Sequence, residues 1–182
     1  SIVVKTCPSG VDKLFAMRNY ELNFSDRRYI GSASSSWLII DRTTRKVQRP
    51  EEFLQRYSSV NQSIASPVRN PMKLTAASEH GDVSAAFRVK INDLDINLHT
   101  NNVNYLKWVT DTYDLNFIMN HRPCSAEINY LAEAIFNDEI VIRTSKDDEK
   151  SRFHNHSIIR IGDNRELCRI KLEWEEMIKK PI

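Results

Sequence analysis

The chain has 182 residues, 41% hydrophobic and 27% charged, which is the composition of a water-facing globular protein long enough to bury a real core. A formal charge of +2 is too small to argue for nucleic acid, and no run approaches the roughly 20 apolar residues that span a bilayer. Three widely spaced cysteines, Cys7, Cys124 and Cys168, give neither a disulfide framework nor a metal-ligand spacing; reduced thiols in the cytoplasm are the expectation, with no cofactor and no metal. In chain order, Ile2–Thr6 is a β-branched run followed by the turn signal Pro8-Ser9-Gly10. Residues 14–24 and 29–40 read as strands joined by a hairpin turn at Ser25-Asp26-Arg27-Arg28. A basic run, Arg42 to Arg49, reads first as a solvated loop. Residues 50–56 carry Pro in the first turn of a short helix. Residues 57–84 are rich in Ser, Asn, Pro and small residues and read as a linker. No secretory signal pattern opens the chain, and its first residue is Ser1 rather than Met, so the native start is expected further upstream.

Beyond the linker, Phe87, Val89 and Ile91 alternate with polar residues as in a half-buried strand. A polar loop runs to Asn101. Val103, Leu106, Val109 and Tyr113 then fall at helical spacing, so one amphipathic helix is expected over 102–118. Strands are expected at 126–132, 139–145, 151–161 and 166–176, the last three joined as hairpins. The two halves also repeat weakly. Val4-Lys5-Thr6 matches Ile142-Arg143-Thr144, Phe15 matches Phe153, Asp26 matches Asp163 and Trp37 matches Trp174. Residue 1 then stands opposite residue 139, so the first copy lacks the counterpart of 87–138, helix included. Absent residues, or another chain, would have to cover its apolar face; absent residues are the favoured expectation.

The chemistry concentrates in Asp93-Leu94-Asp95-Ile96-Asn97-Leu98-His99-Thr100-Asn101-Asn102. On an extended backbone Asp95, Asn97 and His99 would share one side and Ile96 and Leu98 the other. Asn101 and Asn102 would start the helix, whose free first-turn N–H groups suit a developing oxyanion. A carboxylate, an amide and an imidazole beside a helix N-terminus can bind and hydrolyse an acyl group. A capped polar loop with a hydrogen-bonded histidine is the competing reading.

This segment, continued through Val103-Asn104-Tyr105, resembles the signature of acyl-acyl-carrier-protein (acyl-ACP) thioesterases. Pro8 to Arg18 and Ser36 to Asp41 resemble that family's first-domain strands. The resemblance implies an α+β fold of tandem hot-dog domains, each an antiparallel sheet wrapped around a long central helix. The domains would be 1–56, partial and lacking its N-terminal half with its helix, and 85–182, complete, with 57–84 between them. It also implies hydrolysis of acyl-ACP to a free fatty acid, terminating fatty-acid synthesis, in the cytoplasm or, in a plant, the plastid stroma. The family's acidic residue on the strand after the helix matches Glu133. Ala134 stands where many members carry Cys, so a thiol nucleophile is not expected. The expected site is Asp95, Asn97, His99 and Glu133 as catalytic residues, with Asn101, Asn102 and Tyr105 binding substrate. Water would attack, with Glu133 and His99 moving the proton. Tyr105, Trp108 and Phe117 suit a pocket, although aromatics at helical spacing are more often core. An acyl-CoA thioesterase and a non-catalytic acyl-binding module remain alternatives; a hydroxyacyl dehydratase is disfavoured by the lack of a His-Phe-Pro loop. Acyl carrier protein is the implied partner, with Arg42, Arg45, Lys46 and Arg49 a candidate docking face. The oligomeric state, a homodimer included, stays open.

Overall fold

The computed structural model describes residues 1–51, 69–148 and 150–177. The chain divides into two compact units, Ser1–Met72 and Lys73–Ile182. In the first, β1 (Ile2–Asp12), β2 (Phe15–Phe24), β3 (Tyr29–Ile40) and β4 (Val47–Gln48) form an antiparallel sheet in that order. The expected turn at Pro8–Gly10 is instead a bulge inside β1, where the register with β2 shifts and Gly10 takes φ 127°. Proline has no N–H to give the ladder and glycine tolerates the positive φ, so the break is absorbed without reversing the chain. The reversal comes after Asp12, with Lys13 at φ 54°.

Directly paired residues share a face, so Cys7, Asn19 and Met17 lie together and are buried. Val4, Phe24 and Trp37 lie on the other face and are exposed. Pro50 and Glu51 are helical; the rest of the helix expected over 50–56, and the stretch 57–68, lie outside the described residues.

The second unit begins with a segment that has no strand or helix but is fastened down. Leu74 N–H donates to Asn129 Oδ1, Ala77 N–H to Ser157 Oγ, and Arg169 Nη1 to the Leu74 carbonyl. Gly81 lies so close to the Thr144 carbonyl that a Cβ would collide with it. β5 (Asp82–Val83) and β6 (Phe87–Arg88) then pair with β8. The strand expected through Ile91 stops at Arg88, because residues 91–93 turn as a 3-10 helix held by Lys90 N–H on the Asp93 carboxylate. The remaining strands are β7 (His121–Tyr130), β8 (Glu139–Lys146), β9 (Phe153–Arg160) and β10 (Arg165–Glu176), in sheet order β5-β8-β9-β10-β7 with β6 also on β8.

β8-β9-β10 repeats the meander β1-β2-β3, as the internal repeat suggests. Phe15 pairs with Leu38, whereas Phe153 pairs with Glu173, two residues short of the position that the sequence match gives. A two-residue difference preserves which face each side chain occupies.

The single helix expected over 102–118 is two: α1 (Asn102–Thr110) and α2 (Leu115–Asn120). The break lies in Asp111-Thr112-Tyr113-Asp114. Thr112 Oγ1 donates back to the Val109 carbonyl, and Asp114 Oδ1 accepts the Phe117 N–H and starts a new helix. Short polar side chains compete with the helical ladder in this way. α1 buries Tyr105, Trp108 and Val109 in one core with Ile140 and Ile142 of β8, Ile158 of β9, and Ile170, Leu172 and Trp174 of β10. Alternation along β10 supplies most of the sheet's inward face. A helix cradled by an antiparallel sheet is the hot-dog arrangement. Trp174 is 3% exposed in this core, while its repeat counterpart Trp37 is 54% exposed.

Candidate active site

Loop 94–100 is not extended. Leu94 and Thr100 form an antiparallel bridge, and between them the chain turns tightly: Asp95 N–H donates to the His99 carbonyl (2.8 Å), and Leu98 N–H to the Asp95 carbonyl (3.0 Å). Asp95 Oδ1 gathers the N–H groups of Asn97 (2.7 Å) and His99 (3.2 Å). Those bonds, the Asn97 N–H first, hold the Asp95 carboxyl below the usual carboxylate range. The expected alternation of faces therefore gives way to a loop wound around one carboxylate, with Leu98 at φ 64° closing it. Asp95 shapes the loop and carries His99 by its backbone.

The base of the loop is tied to α1. The Asp93 carbonyl accepts both the Asn101 N–H and Asn104 Nδ2, each at 2.8 Å. Asn101 caps the helix, its Oδ1 accepting the Val103 N–H, and its carbonyl takes the Asn104 N–H. Two first-turn N–H groups are thus already engaged, which narrows what this helix end can offer an oxyanion. Asn102 is exposed, its carbonyl accepting Tyr130 Oη. Tyr105 is 2% exposed and belongs to the core, where its hydroxyl accepts the Ala134 N–H at 2.9 Å.

Glu133 lies in the loop after β7 rather than on the strand, which ends at Tyr130. Two backbone links dock this loop beside His99: Thr100 N–H donates to the Ala134 carbonyl (3.1 Å), and His99 bridges Ile135. They leave Glu133 Oε2 3.5 Å from His99 Nε2, with the two side chains 60% and 44% exposed. That separation suits an ion pair or a shared water better than a direct hydrogen bond. The loop is anchored from behind by residues that the sequence did not single out. Arg160 Nη1 donates to Asp138 Oδ2 (3.0 Å) and reaches the Glu133 carbonyl (3.5 Å), while Asp138 Oδ2 accepts the Ile135 N–H. Arg160 Nη2 also pairs with Asp163 at 2.8 Å. Charges 22 residues apart carry no local pattern by which to find them.

An open cavity of about 490 Å³ lies against His99 and Asn97 and is otherwise lined by Ile91, Leu94, Leu98, Ile135 and Phe136. No cysteine shares it. Cys124 bulges from β7, its Sγ donating to the Glu173 carbonyl, six residues before the end of the strand nearest Glu133 and so about 20 Å along it. Cys168 is fully buried, and burial pushes its thiol up to about 12. Among the described residues, no group of three His, Cys, Asp or Glu side chains could hold a metal ion. No helix among them is long and apolar enough to cross a membrane.

Two family models match: the acyl-ACP thioesterase C-terminal domain over residues 76–176, and the acyl-ACP thioesterase N-terminal domain over 1–57. The chain is similar to a palmitoyl-acyl carrier protein thioesterase of Gossypium hirsutum, with 24% identity over 155 residues that cover 78% of this chain and 37% of the relative. It is similar to oleoyl-acyl carrier protein thioesterase 2 of Arabidopsis thaliana, with 25% identity, covering 81% and 48%. The chain thus spans less than half the length of these curated relatives. In three dimensions it resembles an acyl-ACP thioesterase from Bacteroides thetaiotaomicron (TM-score 0.80, 24% identity, 96% of this chain and 68% of that one). It also resembles a 12:0-ACP thioesterase from Umbellularia californica (TM-score 0.80, 18% identity, 97% and 68%). These likenesses establish the fold.

Proposed function

This chain belongs to the acyl-ACP thioesterase family, and from that premise we propose that it hydrolyses the thioester of acyl-ACP, releasing free fatty acid and ending chain growth. The observation that carries the mechanism is the His99–Glu133 pair at 3.5 Å, with His99 at the wall of an apolar cavity. Glu133, aided by His99, removes a proton from water. The water oxygen attacks the thioester carbon, the tetrahedral intermediate collapses, and the C–S bond breaks. The proton passes from Glu133 to His99, which hands it to the departing sulfur. Asn97, on the cavity wall, positions the acyl carbonyl or the water, and Asp95 holds the loop that carries both. A covalent thiol route finds no support in where Cys124 and Cys168 lie.

Acyl carrier protein is the proposed partner, and three widely spaced cysteines with no disulfide among the described residues suit the cytoplasm or a plastid stroma. The test is product analysis with acyl-ACP and matched acyl-CoA substrates. Glu133→Gln and His99→Ala should each lower kcat by about 10²- to 10⁴-fold with unfolding midpoints little changed. Full turnover in the Glu133→Ala, His99→Ala double variant would sink the mechanism. Carrier binding without fatty-acid release by the unmodified chain would replace hydrolysis with an acyl-binding role.

A further inference from the structure

The hairpin between β3 and β4 is built around one carboxylate. Asp41 Oδ1 accepts the Thr43 N–H (3.1 Å), the Thr44 N–H (2.6 Å) and the Thr44 hydroxyl (2.8 Å). The Asp41 N–H donates to the Lys46 carbonyl and the Arg45 N–H to the Asp41 carbonyl, each at 2.9 Å. The acid is engaged inside the turn, and these bonds, the Thr44 N–H first, hold its carboxyl below the usual carboxylate range. What the turn presents outward is basic: residues 41–49 carry Arg42, Arg45, Lys46 and Arg49, all exposed, and no acid besides Asp41. Arg45 stands at φ 57°, a left-handed position that Asn or Gly occupies at lower cost, and its exposed side chain recovers no burial. A cation kept both strained and exposed points to a use outside folding.

Beside the hairpin lies an apolar patch. Phe15 pairs with Leu38 and Ile40 with Val47, and Leu38 and Ile40 are two apart on β3, so all four share one face. They are 38%, 45%, 47% and 44% exposed in the order Phe15, Leu38, Ile40, Val47. This is not the face that the repeat assigns to a helix. Trp37, whose counterpart Trp174 packs in the core with α1, lies on the opposite face of β3 from Leu38 and Ile40. A helix laid against Trp37, as α1 lies against Trp174, leaves the patch exposed. Contiguous exposed apolar side chains of this kind mark an interaction surface.

We propose that hairpin 41–49 and the patch of Phe15, Leu38, Ile40 and Val47 together dock this chain on an anionic bilayer surface, the cations on the headgroups and the apolar side chains at the acyl boundary. Reversible attachment to a membrane takes two signals of this kind, one electrostatic and one apolar. Each Lys or Arg brought to an anionic leaflet raises partitioning by about fivefold. An acidic protein surface answers the cations; a bilayer answers the cations and the patch in one plane. Under the hydrolase reading such docking sets fatty-acid release beside a membrane, but the docking itself does not depend on that reading.

The test is flotation of the unmodified chain with vesicles of phosphatidylcholine alone, and of phosphatidylcholine with about 30% phosphatidylglycerol, at low and high salt. The chain should float with the anionic vesicles and not with the neutral ones, and salt should release it. The triple variant Arg42→Gln, Arg45→Asn, Lys46→Gln should lower the partition coefficient by about 100-fold. The double variant Ile40→Thr, Val47→Thr keeps the β-branched shape that suits the strands and should lower it by about tenfold. Urea midpoints report that each variant keeps its fold, and the salt series on the unmodified chain needs no variant. Equal binding to neutral and anionic vesicles, binding to neither, or unchanged partitioning in either variant would overturn the proposal. Retention on an acidic carrier protein, lost in the triple variant, with no vesicle binding would overturn it in favour of a protein partner.

Discussion

Acid should unlock the second unit well before its carboxylates titrate. Tyr113, between the two helices, accepts the Trp174 Nε1–H at 3.0 Å and lies 2.7 Å from His154 Nδ1 and 3.0 Å from His156 Nε2; His156 Nδ1 in turn meets Thr144 Oγ1. Both imidazoles are at most 2% exposed. Burial lowers His154 from 6.5 to about 4, helped by the charges of Lys146 and His121, and lowers His156 to about 3, helped by His154. The folded state therefore binds fewer protons than the unfolded chain between pH 3 and 6.5, so stability rises with pH across that window and is lost as pH falls below 6.5. From pH 7 to pH 5 each histidine forfeits roughly 2 kcal/mol, close to 4 kcal/mol for the pair, against a typical total of about 5–15 kcal/mol. Asp163, held near 2 by the Arg160 guanidinium, stays ionised throughout. The assay is urea unfolding followed by tryptophan fluorescence in a Trp37→Phe background, which leaves Trp108 and Trp174 of the second unit as reporters. About half of the pH dependence should be lost in His154→Gln or in His156→Gln, even where the variant is weaker at pH 7. A midpoint that stays constant from pH 7 to pH 5 in the parent, or an undiminished slope in both variants, would refute the reasoning.

Two further outcomes concern the frame of the site. Arg160→Met strands Asp138, whose side chain is 14% exposed, and should cost about 2 kcal/mol, or roughly 5 °C in thermal midpoint, with kcat falling as the Glu133 loop loosens. A change in midpoint below 1 °C would remove Arg160 as the anchor. Asn101→Ala should cost about 1 kcal/mol in urea unfolding by uncapping α1, with Asn101→Ser recovering most of it.

Much of this architecture is written locally. Alternation along Arg165–Glu176 and the turn residues at Ser25–Arg28 make strands and hairpins legible, because each side chain's fate depends on its parity in the strand. The helix was legible at its start, where Asn101 caps it, and not at its end, where Thr112 and Asp114 outcompete the apolar spacing that continues through Tyr113. Loop 94–100 was legible as a set of residue types but not as a shape. Whether Asp95 faces outward from an extended strand or folds inward to collect two N–H groups depends on Leu98 entering a backbone region that leucine does not advertise.

The pairing of His99 with Glu133 lies a further step from the sequence. Nothing in the spacing of 34 residues brings these side chains together, and from sequence Glu133 came forward through family resemblance alone. Their approach follows from three contacts between other groups: Thr100 N–H on the Ala134 carbonyl, Ala134 N–H on Tyr105 Oη, and Ile135 N–H on Asp138 Oδ2, itself held by Arg160. Tyr105 thus acts on the site from inside the core, by fixing the peptide that follows Glu133. Residue 134 contributes its backbone N–H and carbonyl to that fixing, and its side chain is fully enclosed. A small side chain there meets the packing requirement, and in the proposed mechanism the chemistry falls to the carboxylate one residue earlier.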